Sequence, residues 1–175
     1  MTKKYVLTGG PSCGKTTLLD ALEVRGYNIV KEVARGVLKE REDKPLNYDE
    51  HLTRQKLIFG LQVLQEKNLE GEVAFLDRGI FDNFAYQVHL LSGVIPEYAE
   101  LAKKHPRYDK IFVLDRLPFE NDGLRIEKDD SEAQTLHDSI IHFYQSFGYS
   151  PTFVPVMGIE ARVDFILEHI GEKKK

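Results

Sequence analysis

Eight residues near the start, Gly9-Gly10-Pro11-Ser12-Cys13-Gly14-Lys15-Thr16, have types and spacing suited to one kind of chemistry. Glycines permit a tight turn and a close backbone approach to a ligand. Successive N–H groups in such a turn point inward as an anion nest. A helix starting near Lys15 adds unpaired N–H groups and a positive dipole end. The pattern is G-x-x-x-x-G-K-[ST], in which the lysine reaches the β- and γ-phosphates of a nucleoside triphosphate and the Thr16 hydroxyl sits on Mg²⁺. Thr17 follows as a donor to the α-phosphate. By chance alone, such a pattern arises in roughly one chain in a few hundred of this length. Its setting lowers those odds, because an apolar run precedes it and Leu18, Leu19 and Leu22 give the next segment an apolar helical face.

A phosphoryl group in transfer spreads negative charge over three oxygens, so cations and Mg²⁺ must be in place beforehand. A carboxylate that takes the acceptor's proton adds to the rate. Residues of these kinds recur at the ends of the apolar runs. Glu32, in Lys31-Glu32-Val33-Ala34-Arg35, is the candidate base; an acid in a first helical turn, favoured by the dipole, is the plainer use. Asp77 ends Val73-Ala74-Phe75-Leu76-Asp77 and reads as the acid that organises Mg²⁺, with helix capping as the competing use. Arg78 suits either a bridge between donor and acceptor phosphates or an ion pair with Asp77 or Asp82. Arg116 and Arg125 belong to a polar stretch, 116–130, that reads as a lid over phosphates or as a solvated loop. Gln55, Gln62, Asp82 and Tyr86 are candidates for the acceptor pocket, Tyr86 being equally suited to core. Val156-Met157-Gly158, after the last apolar run, are expected against the purine.

These residues need a scaffold that gathers them. Short apolar runs at Tyr5–Leu7, Asn28–Val30, Val73–Leu76, Ile111–Leu114 and Thr152–Val156 read as strands of a sheet covered on both faces. Helices fill the gaps. Asn47-Tyr48-Asp49-Glu50 and Ser131-Glu132-Ala133-Gln134 both look like capping boxes. The first opens a long helix with Leu57, Leu61 and Leu64 as a core stripe. The second opens one carrying Leu136, Ile140, Phe143 and Phe147, closed by Gly148. A last helix is expected from about Glu160 to His169. Alternating strand and helix implies a parallel sheet with right-handed crossovers, whose ligands bind at the carboxyl ends of the strands.

The chain has 175 residues, 42% hydrophobic and 30% charged, with a net charge of -4. That length suggests one domain, residues 1–175. The acidic balance argues against nucleic-acid or anionic-membrane partners. No apolar run is long enough to span a bilayer, and the N-terminus has no signal segment. The one cysteine, Cys13, leaves no internal disulfide and fits a reducing cytoplasm. His137 and His142 are badly spaced for one helical face, so no structural metal site is expected. Lys173-Lys174-Lys175 reads as a frayed tail.

The chain resembles the P-loop kinase class, closest in pattern to the NadR-like AAA domain family. The similarity rests on GGPSCGKTTL, VKEVAR, FLDRGIFDNFAY, DGLR and VPVMGIEARVDFIL, nearly the whole length. It implies a three-layer αβα fold with a five-stranded parallel sheet of order 2-3-1-4-5. It also implies an ATP- and Mg²⁺-dependent kinase of a small, nucleoside- or nucleotide-like acceptor, monomeric or homodimeric, with GTP as a further donor. A broader similarity runs to deoxynucleoside kinases, where an acid followed by Ala-Arg acts as base; Glu32 with Ala34 and Arg35 matches in kind. Those enzymes carry Glu-Arg-Ser where this chain has Asp77-Arg78-Gly79, and thymidylate kinases have an aromatic there. The alternative is a nucleotide-dependent switch acting on a protein partner. Guanine-specific switches carry Asn/Thr-Lys-x-Asp; the nearest string here, Glu127-Lys128-Asp129-Asp130, begins with the wrong residue.

Overall fold

The computed structural model describes residues 2–38, 46–118 and 129–172. Five strands form one all-parallel sheet: β1 (Lys3–Thr8), β2 (Asn28–Val30), β3 (Val73–Asp77), β4 (Lys110–Leu114) and β5 (Thr152–Val154), in the order β2-β3-β1-β4-β5. The expected order therefore holds. So do the five strands, with β5 shorter than expected. It stops before Pro155, whose ring nitrogen has no proton for a ladder bond.

Alternation along β1 sorts side chains between the two faces. Val6 faces a core with Ala74, Leu76, Ile111 and Val113, covered by α3 (Tyr48–Lys67), α4 (Asp82–Leu91) and α6 (Asp130–Ser146). Tyr5 and Leu7 face the other core with Phe75, Phe112 and Leu114, covered by α1 (Lys15–Val24) and α7 (Ile159–His169). The short α2 (Val33–Leu38) leads towards α3, and α5 (Pro96–Lys103) precedes β4. The result is the three-layer arrangement. Among the described residues, no helix is long and apolar enough to cross a membrane.

Two helix expectations need correction. The α3 capping box is as read: Asn47 Oδ1 accepts from the Glu50 N–H and Glu50 bonds back to the Asn47 N–H. Its inward face is different. Gln55, Ile58, Phe59, Gln62 and Glu66 are buried, while Leu57, Leu61 and Leu64 are exposed. The spacing was right and the phase wrong, because α3 turns a polar stripe towards buried partners beneath the site. The second helix start lies two residues earlier than read, and it is a single cap. Asp129 caps α6 by accepting from the Glu132 N–H at 2.9 Å, so the helix begins at Asp130. Gly148 closes α6 with φ 79°, as expected.

Candidate functional site

Parallel strands deliver the ends of β1, β2 and β3 to one edge. Leu7 lies opposite Asp77, and Val30 opposite Leu76. The glycine-rich loop leaves β1 there and enters α1, with Gly9 (φ 134°) and Gly14 (φ 76°) in conformations that suit glycine. A Cβ on Gly9 would also lie 2.9 Å from the Leu114 carbonyl oxygen. Lys15 is buried, and its Nζ donates to the Gly9 and Gly10 carbonyls at 3.0 Å each and to Cys13 Sγ at 3.2 Å. Cys13 itself donates to the Gly10 carbonyl. Pro11 is buried, Ser12 partly so, and Thr16 and Thr17 are exposed.

Arg162 braces this loop from α7. Its guanidinium donates to the carbonyls of Cys13 (2.8 Å), Pro155 (3.0 Å) and Asp115 (3.3 Å). One side chain thus ties the loop to the ends of β4 and β5. Sequence reading missed this role, although Arg162 lies in one of the quoted stretches.

Arg78 is the hub on the other side. Its Nε donates to Glu32 at 2.8 Å, and its Nη1 to Asp82 and to the Gly9 carbonyl, both at 3.2 Å. The guanidinium also stands 5.2 Å from the Tyr86 ring centroid. Arg35 adds a second cation to Glu32 at 3.1 Å. The backbone of Arg78 is left-handed, φ 72°, which strains a residue with a side chain. Neighbours fix it there. Its N–H donates to the Leu7 carbonyl, Gln62 Nε2 donates to its carbonyl, and the Ile80 N–H donates to the Tyr108 hydroxyl.

Gly79 explains the Asp-Arg-Gly departure noted in the sequence. A Cβ there would sit 2.7 Å from the Tyr108 hydroxyl and 2.8 Å from that of Tyr144, so a serine has no room. Asp82 is almost fully buried and accepts from Thr8, Tyr144, Arg78 and the Gly79 N–H. Both its oxygens are committed within the protein, which suits holding Arg78 better than meeting an acceptor. Gln62 is likewise engaged, bonding Glu66 at 2.9 Å. Glu66, in turn, binds Lys4, His105 and the Tyr108 hydroxyl. A buried acid four residues after Gln62 was the available signal for this polar stripe. Gln55 is buried and its Oε1 has no hydrogen-bond partner among the described residues.

The two acids nearest the loop differ in state. Burial works to raise the Glu32 carboxyl, but Arg78, Lys15 and Arg35 outweigh it and hold the group below the usual carboxylate range. Asp77 goes the other way. Burial and the Glu32 charge push it up to about 6, against the pull of Lys15 and Arg78. Its Oδ1 is buried without a hydrogen-bond partner among the described residues. A buried carboxylate oxygen without a partner among the described residues, beside a phosphate-type loop, fits a hard divalent cation with oxygen ligands.

That state has a measurable consequence. A carboxyl raised when folded binds more protons folded than unfolded between its two pKa values, so stability falls as the pH rises through that window. With Asp77 near 6 against an ordinary 3.8, the strain is complete above about pH 7. Asp77→Asn is therefore expected to raise stability in EDTA at neutral pH by about 1–3 kcal/mol, a gain that vanishes towards pH 4. Thermal unfolding of both proteins across this range checks it, and a less stable Asn variant at neutral pH contradicts it.

Arg116 is turned towards α6, donating to Gln134 Oε1 at 2.9 Å and to Asp130. These bonds tie the stretch after β4 to the start of α6. Arg125 lies outside the described residues, as does Lys173-Lys174-Lys175. Val156, Met157 and Gly158 occupy the exposed turn between β5 and α7, with Gly158 capping α7. Among the described residues there is no cluster of three metal-ligating side chains.

Known proteins were compared with this arrangement. No curated protein matches. Solved structures do. Thymidylate kinase from Ehrlichia chaffeensis superposes with a TM-score of 0.69 at 12% identity, covering 97% of this chain and 98% of that one. NadR protein in complex with NAD and AMP-PNP gives 0.71 at 19% identity, covering 99% of this chain and 51% of that one. Deoxyadenosine kinase from M. mycoides gives 0.61 at 16% identity, covering 96% and 98%. The chain thus spans about half the length of NadR. At these identities the likeness is one of fold. A family model described as an AAA domain matches residues 4–162, and the chain belongs to that family.

Proposed function

We propose that this protein is an ATP- and Mg²⁺-dependent phosphotransferase acting on a small hydroxylated acceptor, nucleoside- or nucleotide-like. The observation that carries the reading is the grouping of Lys15, the Glu32–Arg78 pair and Asp77, whose Oδ1 has no partner among the described residues, at one edge of the sheet. A binding module needs the loop, but it has no use for a buried acid–arginine pair beside it. The fold shared with two nucleoside- or nucleotide-directed kinases, and with a NadR protein solved with the ATP analogue AMP-PNP, supports it.

The roles follow from chemistry. Gly9 through Thr17 cradle the phosphates, and Val156-Met157-Gly158 lie against the purine, with ATP preferred over GTP. Thr16 and Asp77 would hold Mg²⁺, which supplies charge neutralisation between the phosphates. Glu32, kept ionised, orients the acceptor hydroxyl and receives its proton as the new O–P bond forms and the bond to the leaving ADP breaks. Arg78 steadies the transferring phosphoryl. Gln55 and Tyr86 line the acceptor pocket, and a lid arginine, Arg116 or Arg125, completes the cationic shell. The protein works in the cytoplasm as monomer or homodimer, without nucleic acid or membrane.

Lys15→Ala is expected to weaken Mg·ATP about 10–100-fold, the loss of one charge-assisted contact, and to leave the fold intact. Calorimetric titration of ATP and GTP into both proteins, paired with acceptor-stimulated ADP release, tests the reading. Unchanged affinity in a folded variant removes the loop assignment. A tenfold preference for GTP with no stimulation by any acceptor moves the protein to the regulatory-switch class.

A further inference from the structure

The phosphate loop has a second support that the motif does not announce. His137, on α6, is buried, and its Nδ1 accepts the Gly10 N–H at 3.0 Å. Gly10 occupies a position where the motif allows any residue. Glycine is required in this chain, because a Cβ would lie 2.9 Å from His137 Cβ and 3.0 Å from the Ala133 carbonyl oxygen. The loop therefore rests directly on α6, and across that seam the Gly10 N–H meets an imidazole lone pair. An imidazole accepts at Nδ1 only when neutral with its proton on Nε2.

We propose that His137 is a positioning residue for the phosphate loop, a clamp whose neutral imidazole holds Gly10 and whose protonation loosens nucleotide binding. The clamp rests on the reading of the loop as a nucleotide site. The charged groups facing His137 are Lys15 from the loop, Asp115 and Arg116 from the stretch after β4, and Asp138 from its own helix. Burial pushes His137 below its ordinary value, against Asp138 and with Arg116 and Lys15, so the clamp is closed at neutral pH. On acidification both Nδ1 and the Gly10 nitrogen carry protons, the contact turns repulsive, and the loop loses its seat. Because α6 also carries Asp130 and Gln134, the partners of Arg116, the same helix links the loop to the stretch after β4.

The test compares wild type, His137→Asn and His137→Leu. An Asn Oδ1 stands near the place of Nδ1, accepts a hydrogen bond and does not titrate; Leu fills the space and accepts nothing. Mg·ATP affinity is measured by titration from about pH 7.5 to about pH 5. The nucleotide's own protonation is common to all three proteins. Expected at neutral pH is an Asn variant close to wild type and a Leu variant about tenfold weaker. On acidification wild type loses about tenfold more affinity than the Asn variant. Exchange protection of the Gly10 amide in the protein without nucleotide gives a second readout, retained in Asn and lost in Leu. Parallel pH profiles for wild type and Asn overturn the proposal, as does full Gly10 protection in Leu. If Mg·ATP binds none of the three proteins, the nucleotide reading falls, and Gly10 protection against His137 protonation still decides the clamp. If the Leu variant fails to fold, the Asn comparison decides alone.

Discussion

Replacing Arg78 by methionine is expected to lower stability by about 3–5 kcal/mol and to abolish acceptor-dependent turnover. The stability loss follows from what the guanidinium leaves behind. Glu32 and Asp82 are both largely buried, and each takes a hydrogen bond from Arg78 at 2.8 Å and 3.2 Å respectively. Removing the cation strands two carboxylates in a poorly solvated place, and breaking such a pair costs more than forming it gains. For a chain of this length that is a fall in Tm of about 10 °C. The turnover loss follows separately, since an arginine on a transferring phosphoryl group is worth about 10³–10⁵-fold. Arg78→Lys keeps the charge but not the fork that meets Glu32, Asp82 and the Gly9 carbonyl together, so it should recover stability in part and turnover little. Thermal unfolding of Glu32→Gln, Arg78→Met and the double variant completes the check. The double variant should lose less than the sum of the two, because the second change removes a charge already stranded.

Glu32→Gln is expected to lower acceptor-dependent turnover by about 10²-fold while Mg·ATP affinity stays near that of wild type. The figure lies at the low end of general-base effects for a structural reason. Arg78 and Arg35 both bond the Glu32 carboxylate, and with Lys15 they hold its pKa below the usual range. A carboxylate so held is always ionised at neutral pH but is a weak proton acceptor. A loose phosphoryl-transfer transition state asks little of a base until late, so orientation of the hydroxyl supplies most of the effect. The depressed pKa also sets the pH dependence. Glu32 itself stays ionised until the pH falls below the ordinary Glu value, so the limb it sets lies to the acid side of those set by Asp77 and His137, and the Gln variant lacks that limb. Measured as acceptor-dependent ADP release against pH, equal rates for the two proteins remove Glu32 from the reaction.

The fold was legible because its signals are local. Val6 and Leu7 alternate between two cores, Asn47 and Glu50 cap each other, and Gly148 takes a left-handed φ that glycine adopts freely. The loop motif was legible for the same reason, being continuous in sequence. What sequence could not deliver was phase and partnership. Leu57, Leu61 and Leu64 had the right period for core, yet α3 is rotated so that Gln62 and Glu66 meet Arg78 and Tyr108. Only the packed neighbours decide that. Asp82 reads in sequence as an acceptor-pocket candidate or an ion-pair partner of Arg78; Thr8 and Tyr144, 74 and 62 residues away, make it a buried brace. Arg162 and His137 hold the loop across separations of 149 and 127 residues, which no local pattern records.

The central claim is phosphoryl transfer to a small acceptor. The most direct measurement supplies the protein with Mg²⁺ and ATP labelled in the γ-phosphoryl group. A panel of nucleosides, nucleoside monophosphates and related hydroxylated metabolites is offered as acceptors. Mass spectrometry then follows the label. The predicted result is label on a hydroxyl of one acceptor class, with a matching yield of ADP, lost in Lys15→Ala and reduced in Glu32→Gln. Tight binding of Mg·ATP with label appearing only in inorganic phosphate, whatever acceptor is offered, would contradict the account.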